Sequence, residues 1–524
     1  MNESLTRVVL VGFMGAGKSS VGRALAERLG WRFVDTDALV QALSGRTIPE
    51  LFPEGEPFFR QWEAQAIATL FASEHLVIAA GGGALTHPES RRMLQALGPT
   101  VWLDAPVDVL WARAGADPAR PLSLDQADFR ARHAARLPLY RQSPLRVDTE
   151  TLSSTEAAGW LHRQLTEEAS TVHVALGDRA YPITIQPGAL PALPRLLEGT
   201  PGRCLVVTDT HVRDLYAEPV IAALELAGWH PALAVVPAGE PSKCLEQASA
   251  LYDQCVRLGL KRHHPVIALG GGVVGDLAGF IAATYQRGVP FVQVPTTLLA
   301  QIDSSVGGKV GINHPGGKNL IGAFYQPKLV LADTSTLLTL SDREYLAGLA
   351  ELVKYGVIMD ADLFELIERE RERLLARDLP LLNRVVRRSC ELKAEVVRQD
   401  EREVGLRAIL NFGHTVGHAI EAIAGYGEFL HGEAVAIGMV AESRLAGRRG
   451  LLDPAVIARI EALLAALGLP TAMPPLDPDD FLAAMGRDKK NLDTGVTFIL
   501  PTGIGEVRIA SLPAAELDAI LPRQ

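Results

Sequence analysis

The stretch Gly12-Phe13-Met14-Gly15-Ala16-Gly17-Lys18-Ser19 constrains the fold of this chain more than any other. It fits G-x-x-x-x-G-K-[ST], follows the apolar run Val8–Val11, and opens a helical pattern through Val21, Leu25 and Leu29. Such a loop works only between a strand and a helix. Its glycines let backbone N–H groups curl around phosphate oxygens, and the helix N-terminus adds positive potential. Gly12, Gly15, Ala16, Gly17 and Ser20 are therefore candidate nucleotide contacts. Lys18 would pair with the β- and γ-phosphates, and the Ser19 hydroxyl would ligate Mg2+. Further apolar runs at 76–80 and 100–103 alternate with helical patterns to about residue 165, which predicts an α/β domain with a parallel sheet.

A phosphate loop says which donor is bound, not which acceptor. Phe33-Val34-Asp35-Thr36-Asp37 sets two carboxylates just past a short strand. Arg60 lies in Phe59-Arg60-Gln61-Trp62-Glu63, and Gly81-Gly82-Gly83 follows a buried-strand pattern, at the carboxyl end of the sheet where open α/β folds bind ligands. Arg120-Pro121 closes an Ala/Gly/Asp-rich stretch that could form a lid, and Arg141 follows Leu139-Tyr140. Single arginines are usually solvated surface. Here the chemistry favours arginine forks for a carboxylate-bearing acceptor and a cation beside the transferring phosphoryl group. In this order, and across nearly all of 6–165, these motifs resemble shikimate kinase. The resemblance implies that Asp37, Arg60, Gly82, Gly83 and Arg141 hold shikimate, with Arg60 and Arg141 forking its carboxylate. It makes Asp37 the base on the 3-hydroxyl and Arg120 the lid arginine on the ATP phosphates. Asp35 would hold Mg2+ through water, and Glu63 would orient Arg60.

At 524 residues the chain exceeds the roughly 250–300 that one core can serve, so more than one domain is expected. Domains are expected at 1–168, 172–335 and 336–524. Glu167–Thr171 is the expected junction, followed by β-like runs at 172–176 and 181–185, a second α/β region with strands at 204–208, 265–269 and 291–294, and helices from Ser341. A β-like tail is expected at 496–500 and 506–509. The expected class is thus α/β throughout, with a mainly helical last part. A net charge of −10 argues against nucleic acid or an anionic membrane as the main partner. The cysteines Cys204, Cys244, Cys255 and Cys390 form no C-x-x-C pair, which suits a reduced, cytoplasmic protein. No signal-peptide pattern is seen at the start, and no apolar stretch reaches the roughly 20 residues of a membrane span.

In the second part, Leu269-Gly270-Gly271-Gly272-Val273-Val274-Gly275-Asp276 follows a strand-like run, a turn that can admit a pyrophosphate. The spacing is not G-x-G-x-x-G, so alone it is a weak dinucleotide signal. Asp209, after the 204–208 run, is placed like an acid that binds a ribose hydroxyl. His414 and His418 stand at i and i+4 and share one helix face; His431 follows, and Glu351 precedes. Histidines plus a carboxylate suit Zn2+ as a Lewis acid, although buried, hydrogen-bonded histidines would leave the same spacing. The pattern is not H-E-x-x-H, which disfavours a zincin protease. Lys309, Lys318, Lys354, Lys393, Arg407, Lys489 and Lys490 form a basic set. Several members lie in glycine-rich turns, such as Gly307-Gly308-Lys309 and Gly316-Gly317-Lys318-Asn319.

The strings Pro237–Lys243, Gly270–Asp276, Pro295–Ala300, Asp303–Lys309, Gly317–Gly322 and Asn411–His418 closely resemble 3-dehydroquinate synthase over about 172–524. The resemblance implies that Glu351, His414 and His431 bind Zn2+. It implies that Asp209, Glu240, Lys243, Gly271, Gly272, Asp276, Thr296, Thr297, Lys309 and Lys318 contact NAD. Asp303, Lys309, Asn319, Lys354 and His418 would act in the chemistry. Lys393, Arg407, Asn411 and Lys490 would bind the substrate's anionic groups, with Arg287 reaching in from a neighbouring subunit of a homodimer. The implied substrate is 3-deoxy-D-arabino-heptulosonate 7-phosphate. The implied cycle oxidises C5 with NAD+, eliminates phosphate, returns the hydride and closes the ring by an aldol step. Two alternatives remain for this part: a related sugar-phosphate cyclase, or a metal-dependent polyol dehydrogenase, which would accumulate NADH. A gluconate-type kinase is the alternative for the first part, disfavoured by Arg60, Arg141 and the glycine run. A binding or assembly role for either part is disfavoured because every proposed catalytic position holds a competent residue. The resemblances assign the two parts to the second and fifth steps of the route to chorismate, so no direct handoff between them is expected.

Overall fold

Strand β1 (Arg7–Val11) is buried at every position, which is why it reads as a continuous apolar run and not as an alternating one. In the computed structural model, residues 5–114, 125–143, 145–165, 170–425, 428–487 and 495–513 are described. β1 lies at the centre of a five-stranded sheet with β2 (Arg32–Asp35), β3 (Leu76–Ala79), β4 (Thr100–Asp104) and β5 (Leu145–Asp148), in the order β2-β3-β1-β4-β5. All its pairs are parallel, with Val9 opposite Ile78 and Leu10 opposite Val101. The carboxyl ends of β1, β2 and β3 therefore deliver the phosphate loop, Asp35 and the Gly81–Gly83 run to one edge. The helix Lys18–Leu29 buries Val21, Leu25 and Ala26 against the sheet and stops at Gly30, whose φ of 68° is left-handed.

The second part opens with β6 (Ser170–Val174), antiparallel to β7 (Tyr181–Ile185). These join β8 (Arg203–Asp209), β9 (His230–Val236), β10 (Val266–Gly270) and β11 (Phe291–Pro295). After a separate hairpin of β12 (Lys309–His314) and β13 (Gly317–Phe324) comes β14 (Leu329–Ala332). The seven-stranded order is β6-β7-β14-β11-β10-β8-β9, parallel except for the first pair. The sequence reading places Lys309, Lys318 and Asn319 in turns, whereas all three stand on strands. Val310 and Ile312 are buried, and a Cβ on Gly279 of the helix Gly272–Thr284 would lie 2.3 Å from Val310 Cγ1. That packing turns a glycine-rich segment into a sheet.

Helices follow. Asp342–Met359 is buried almost all round, as a helix in the middle of a core must be. His431–Arg448 crosses it so closely that a Cβ on Gly432 would lie 1.9 Å from the Ala347 carbonyl oxygen, and one on Gly438 1.9 Å from that of Gly413. The tail forms a hairpin, β15 (Val496–Gly503) with β16 (Glu506–Leu512). The first and second parts touch where helix Pro88–Leu97 meets helix Glu218–Leu226. Ala96 packs there with Ala222, Ala223 and Phe71, and Glu74 pairs with Arg195 at 2.8 Å. Among the described residues, no helix is long and apolar enough to cross a membrane, and the four cysteines are unpaired.

Candidate active sites

In the first part, Gly12, Gly15 and Gly17 take φ of 146°, 83° and 86°. A Cβ at Gly12 would meet Leu103 O at 2.5 Å, and one at Gly15 would meet Leu110 O at 2.5 Å, so only glycine fits either turn. Ala16 is buried beneath the loop, and Ser20 is exposed on the first helical turn. Lys18 Nζ folds back to donate to Gly12 O at 2.8 Å and Phe13 O at 3.1 Å. Ser19 Oγ donates to Asp35 Oδ2 at 2.8 Å, which brings the two expected Mg2+ groups together. Asp35 Oδ1 accepts from the Asp37 amide at 3.1 Å, starting the next helix and aiming Asp37 at the glycine run.

That run admits charge. A Cβ on Gly81 would lie 2.6 Å from Asp37 Oδ1 and 3.1 Å from Glu63 Oε1, and one on Gly83 2.4 Å from an Arg60 nitrogen. Arg60 is buried and donates to Glu63 and Glu56, each at 2.8 Å. Burial, opposed by Arg60 and reinforced by Asp37, lifts the Glu63 carboxyl above its usual range, and Glu63 Oε1 has no hydrogen-bond donor. Gly82 O accepts from Arg136 at 2.9 Å and from the Tyr140 hydroxyl at 2.7 Å. Arg136 is the residue sequence reading missed. Helical spacing carried the signal, since Arg136 and Tyr140 are i and i+4 on the helix Gln126–Tyr140 and share a face. Arg141 caps that helix and is exposed. Arg120 lies outside the described residues.

In the second part, Asp209 ends β8 and caps the following turn through the amides of His211 and Val212, at 2.8 and 3.0 Å. Gly271 and Gly272 open the helix after β10. A Cβ on either would lie 3.0 Å from a side chain, Thr297 or Ser304, leaving a cradle of backbone N–H groups. The Thr296 amide donates to Gly270 O at 3.0 Å, and its buried hydroxyl has no partner. Lys243 Nζ donates to Asp276 at 2.7 Å and to Asn319, with Glu240 at 3.6 Å. Burial pulls the Lys243 ammonium down, but the charges of Asp276 and Glu240 raise it overall. Asn313, which the sequence reading passed over, joins Glu240 to the Asn319 amide, at 2.7 and 2.8 Å. Asn319 is thus brought to the Lys243 cluster and sits at a left-handed φ of 56°, a region asparagine tolerates.

Next to this lies a cluster of paired cations. Lys393 Nζ is 2.9 Å from Asp303 Oδ1 and donates to Asp303 O at 2.7 Å; Lys354 is 3.9 Å from the same carboxylate, and the Tyr355 hydroxyl donates to it at 2.7 Å. Against the effect of burial, Lys393 and Lys354 hold Asp303 well below its usual range. Arg407 is buried and spends its donors on the carbonyls of Gly307 and Glu401. Lys309 pairs with Glu403, which also accepts from Asn411 at 3.2 Å. Glu403 had no signal in the sequence, because Lys309 is 94 residues away. Arg287 is exposed on a turn, with a left-handed φ of 64°. Lys489 and Lys490 lie outside the described residues.

Glu351, fully buried, faces His414 Nε2 at 3.4 Å and His431 Nε2 at 3.6 Å through Oε1; Lys354 pairs with Oε2. No hydrogen-bond donor serves Oε1. The outer ring nitrogens are occupied: His414 Nδ1 lies 3.1 Å from Phe412 O, and His431 Nδ1 lies 3.2 Å from Glu421 Oε2. Burial, with the Lys354 charge, holds His414 well below its usual range, leaving it a neutral imidazole. Two histidines and a carboxylate, converging and outwardly anchored, form a donor set suited to a divalent metal. His418 is half-buried beside them, its ring centroid 5.4 Å from that of His414.

Residues 14–166 match the shikimate kinase family; residues 233–347 and 348–491 match the N-terminal and C-terminal parts of 3-dehydroquinate synthase. The 3-dehydroquinate synthase of Desulforamulus reducens is 53% identical over 355 residues, 67% of this chain and 99% of that protein. Among solved structures, 2-epi-5-epi-valiolone synthase from Streptomyces hygroscopicus, with NAD+ and Zn2+ bound, is 35% identical, with a TM-score of 0.61, and the match covers 66% of this chain and 97% of that one. A 2-deoxy-scyllo-inosose synthase complexed with carbaglucose-6-phosphate, NAD+ and Co2+ is 27% identical, with a TM-score of 0.63 over 67% of this chain and 99% of that one.

Proposed function

Because the chain belongs to the 3-dehydroquinate synthase family and carries a shikimate kinase domain before it, it has both activities, and we propose that the residue sets above are their active centres. In the kinase, the phosphate loop with Lys18 holds ATP, while Ser19 and Asp35 hold Mg2+. Arg60 and Arg136 take the shikimate carboxylate, with Gly82 and Gly83 allowing close approach and Asp37 accepting the proton of the attacking hydroxyl. In the synthase, Asp209, Glu240, Lys243, Gly271, Gly272, Asp276, Thr296 and Thr297 bind NAD. Glu351, His414 and His431 hold a divalent metal, Zn2+ or Co2+ as in the solved relatives. When bound, these groups supply a hydride acceptor and a Lewis acid at the hydroxyl to be oxidised. Lys393 binds and orients the substrate's phosphate and stabilises it as it leaves. Arg407 fixes the loop at Gly307, and Glu403 holds Lys309 and Asn411 together, which suits a shared role toward the substrate's anionic groups. His418, Asn319, Asp303 and Lys354 flank the reacting centre.

The observation that carries this reading is the buried Glu351 Oε1, undonated and facing two imidazole nitrogens. A lone carboxylate oxygen without a partner costs about 1–3 kcal/mol or more, and a metal removes that cost. We also propose a homodimer through the second part, with Arg287 serving a neighbouring site. Leu320 and Phe324 on β13, 64% and 44% exposed, support such an interface. The test is phosphate release from 3-deoxy-D-arabino-heptulosonate 7-phosphate by the purified full chain with catalytic NAD+. Release without NADH build-up, lost with a chelator and in Glu351→Gln, is the expected result. Steady NADH accumulation with a polyol, or no phosphate release, would overturn the substrate assignment.

A further inference from the structure

Glu421 follows His414 and His418 on the helix His414–Ala424, so the three side chains share one face. It is buried, and both its oxygens are engaged. Oε2 lies 3.2 Å from His431 Nδ1, and Oε1 accepts from Lys318 Nζ at 3.0 Å. A carboxylate on the outer nitrogen of a metal-binding imidazole fixes its tautomer and turns its other nitrogen to the metal. For His431 that other nitrogen is Nε2, the atom facing Glu351. Lys318 belongs to β13, on the α/β side of the cleft, while Glu421 belongs to the helical side. The next residue on β13, Asn319, accepts from Lys243, which also holds Asp276. Two sets of polar contacts, Asp276–Lys243–Asn319 on one side and Lys318–Glu421–His431 on the other, are thus joined through the backbone of β13 at the adjacent residues Lys318 and Asn319.

Resting on the metal reading above, we propose that Glu421 is the positioning residue of the metal centre, and that its link to Lys318 couples metal binding to occupancy of the dinucleotide site. A rival arrangement would make His418, Glu421 and His431 the ligands. Against it, Glu421 has no oxygen left unengaged, whereas Glu351 Oε1 has no donor. Each side of the coupling must act equally on the other, because binding free energies are linked.

The experiment measures Zn2+ affinity of the full chain by competition with a chromogenic chelator, with and without NAD+, and records the visible spectrum of the Co2+-loaded form. Glu421→Gln, nearly isosteric and checked for folding by circular dichroism, should weaken Zn2+ affinity by about 10- to 100-fold and shift the Co2+ bands. NAD+ should tighten Zn2+ binding in the wild type by about fivefold or more, and Lys318→Met, which leaves the Glu421–His431 contact in place, should erase that gain. A Glu421→Gln protein with unchanged affinity and spectrum overturns the positioning role. Wild-type Zn2+ affinity indifferent to NAD+ overturns the coupling. If Glu351→Gln also binds Zn2+ like the wild type, the metal reading itself fails. Loss in His418→Ala with Glu351→Gln unaffected would establish the rival ligand set.

Discussion

Burial, opposed by Asp303 and assisted by Arg407 and Lys354, brings the Lys393 ammonium down to about 8. The side chain proposed to meet the substrate's phosphate therefore changes charge just above neutral pH. An anion needs the protonated form, so affinity for sulfate, a phosphate analogue that does not titrate here, should be flat below about pH 8. As the pH rises through that value it should fall, by up to about tenfold per unit; the constant charge of sulfate over this range isolates the lysine. Lys393→Met should weaken binding at neutral pH and remove the step, as read by calorimetry across pH. In the kinase, Arg136→Ala should raise the KM for shikimate by about 10- to 100-fold, the worth of a charge-assisted hydrogen bond, while Arg141→Ala leaves it within about twofold. Residues that act within a short span were legible in the sequence: the phosphate loop, Asp35 with Ser19, and the His414 region. Asn313, Glu403 and Glu421 were not, because their partners come from distant strands and helices. Lys318 and Glu421, for instance, are 103 residues apart. Arg136 escaped for a different reason: the motif drew attention to the residue after Tyr140, when helical geometry points four residues before it.

Among the elements, the helix His431–Arg448 carries His431, a proposed metal ligand, and its Gly432 and Gly438 have the shortest Cβ approaches, 1.9 Å each, among the described glycines. Gly432 and Gly438 place its backbone directly on Ala347 and Gly413. Through those contacts it is locked to the helices bearing Glu351 and His414, so the three proposed metal ligands are set by backbone packing as much as by their own rotamers. Gly438→Ala has no flexible neighbour to displace. It should cost about 1–3 kcal/mol in a denaturant titration, with an unchanged slope, and should weaken metal binding as well. β1, β3, β4, β8, β10 and β11 were legible as apolar runs because parallel, doubly covered strands hide both faces, whereas β5 and β9, with exposed positions, and the short β14 were not picked out. The β12–β13 hairpin was not. Its glycines read as turns, and only the packing of Val310 and Ile312 against the helix Gly272–Thr284 makes it a sheet.

At the scale of the whole molecule, the kinase residues named here precede position 142 and the synthase residues follow position 208, so neither site borrows from the other. Separating the parts between 165 and 170 should leave both kcat/KM values within about twofold. Each freed part should nonetheless melt lower by a few degrees, since Ala96, Ala222 and Ala223 lose their cover. Calorimetry and steady-state assays on the separated parts check both expectations. The product of the synthase is not the substrate of the kinase, so the contact has no cargo to pass. The packing of Pro88–Leu97 on Glu218–Leu226 has another consequence. It should give the chain one rotational diffusion rate in place of two, so that fluorescence anisotropy decay reads a single tumbling time for both catalytic parts.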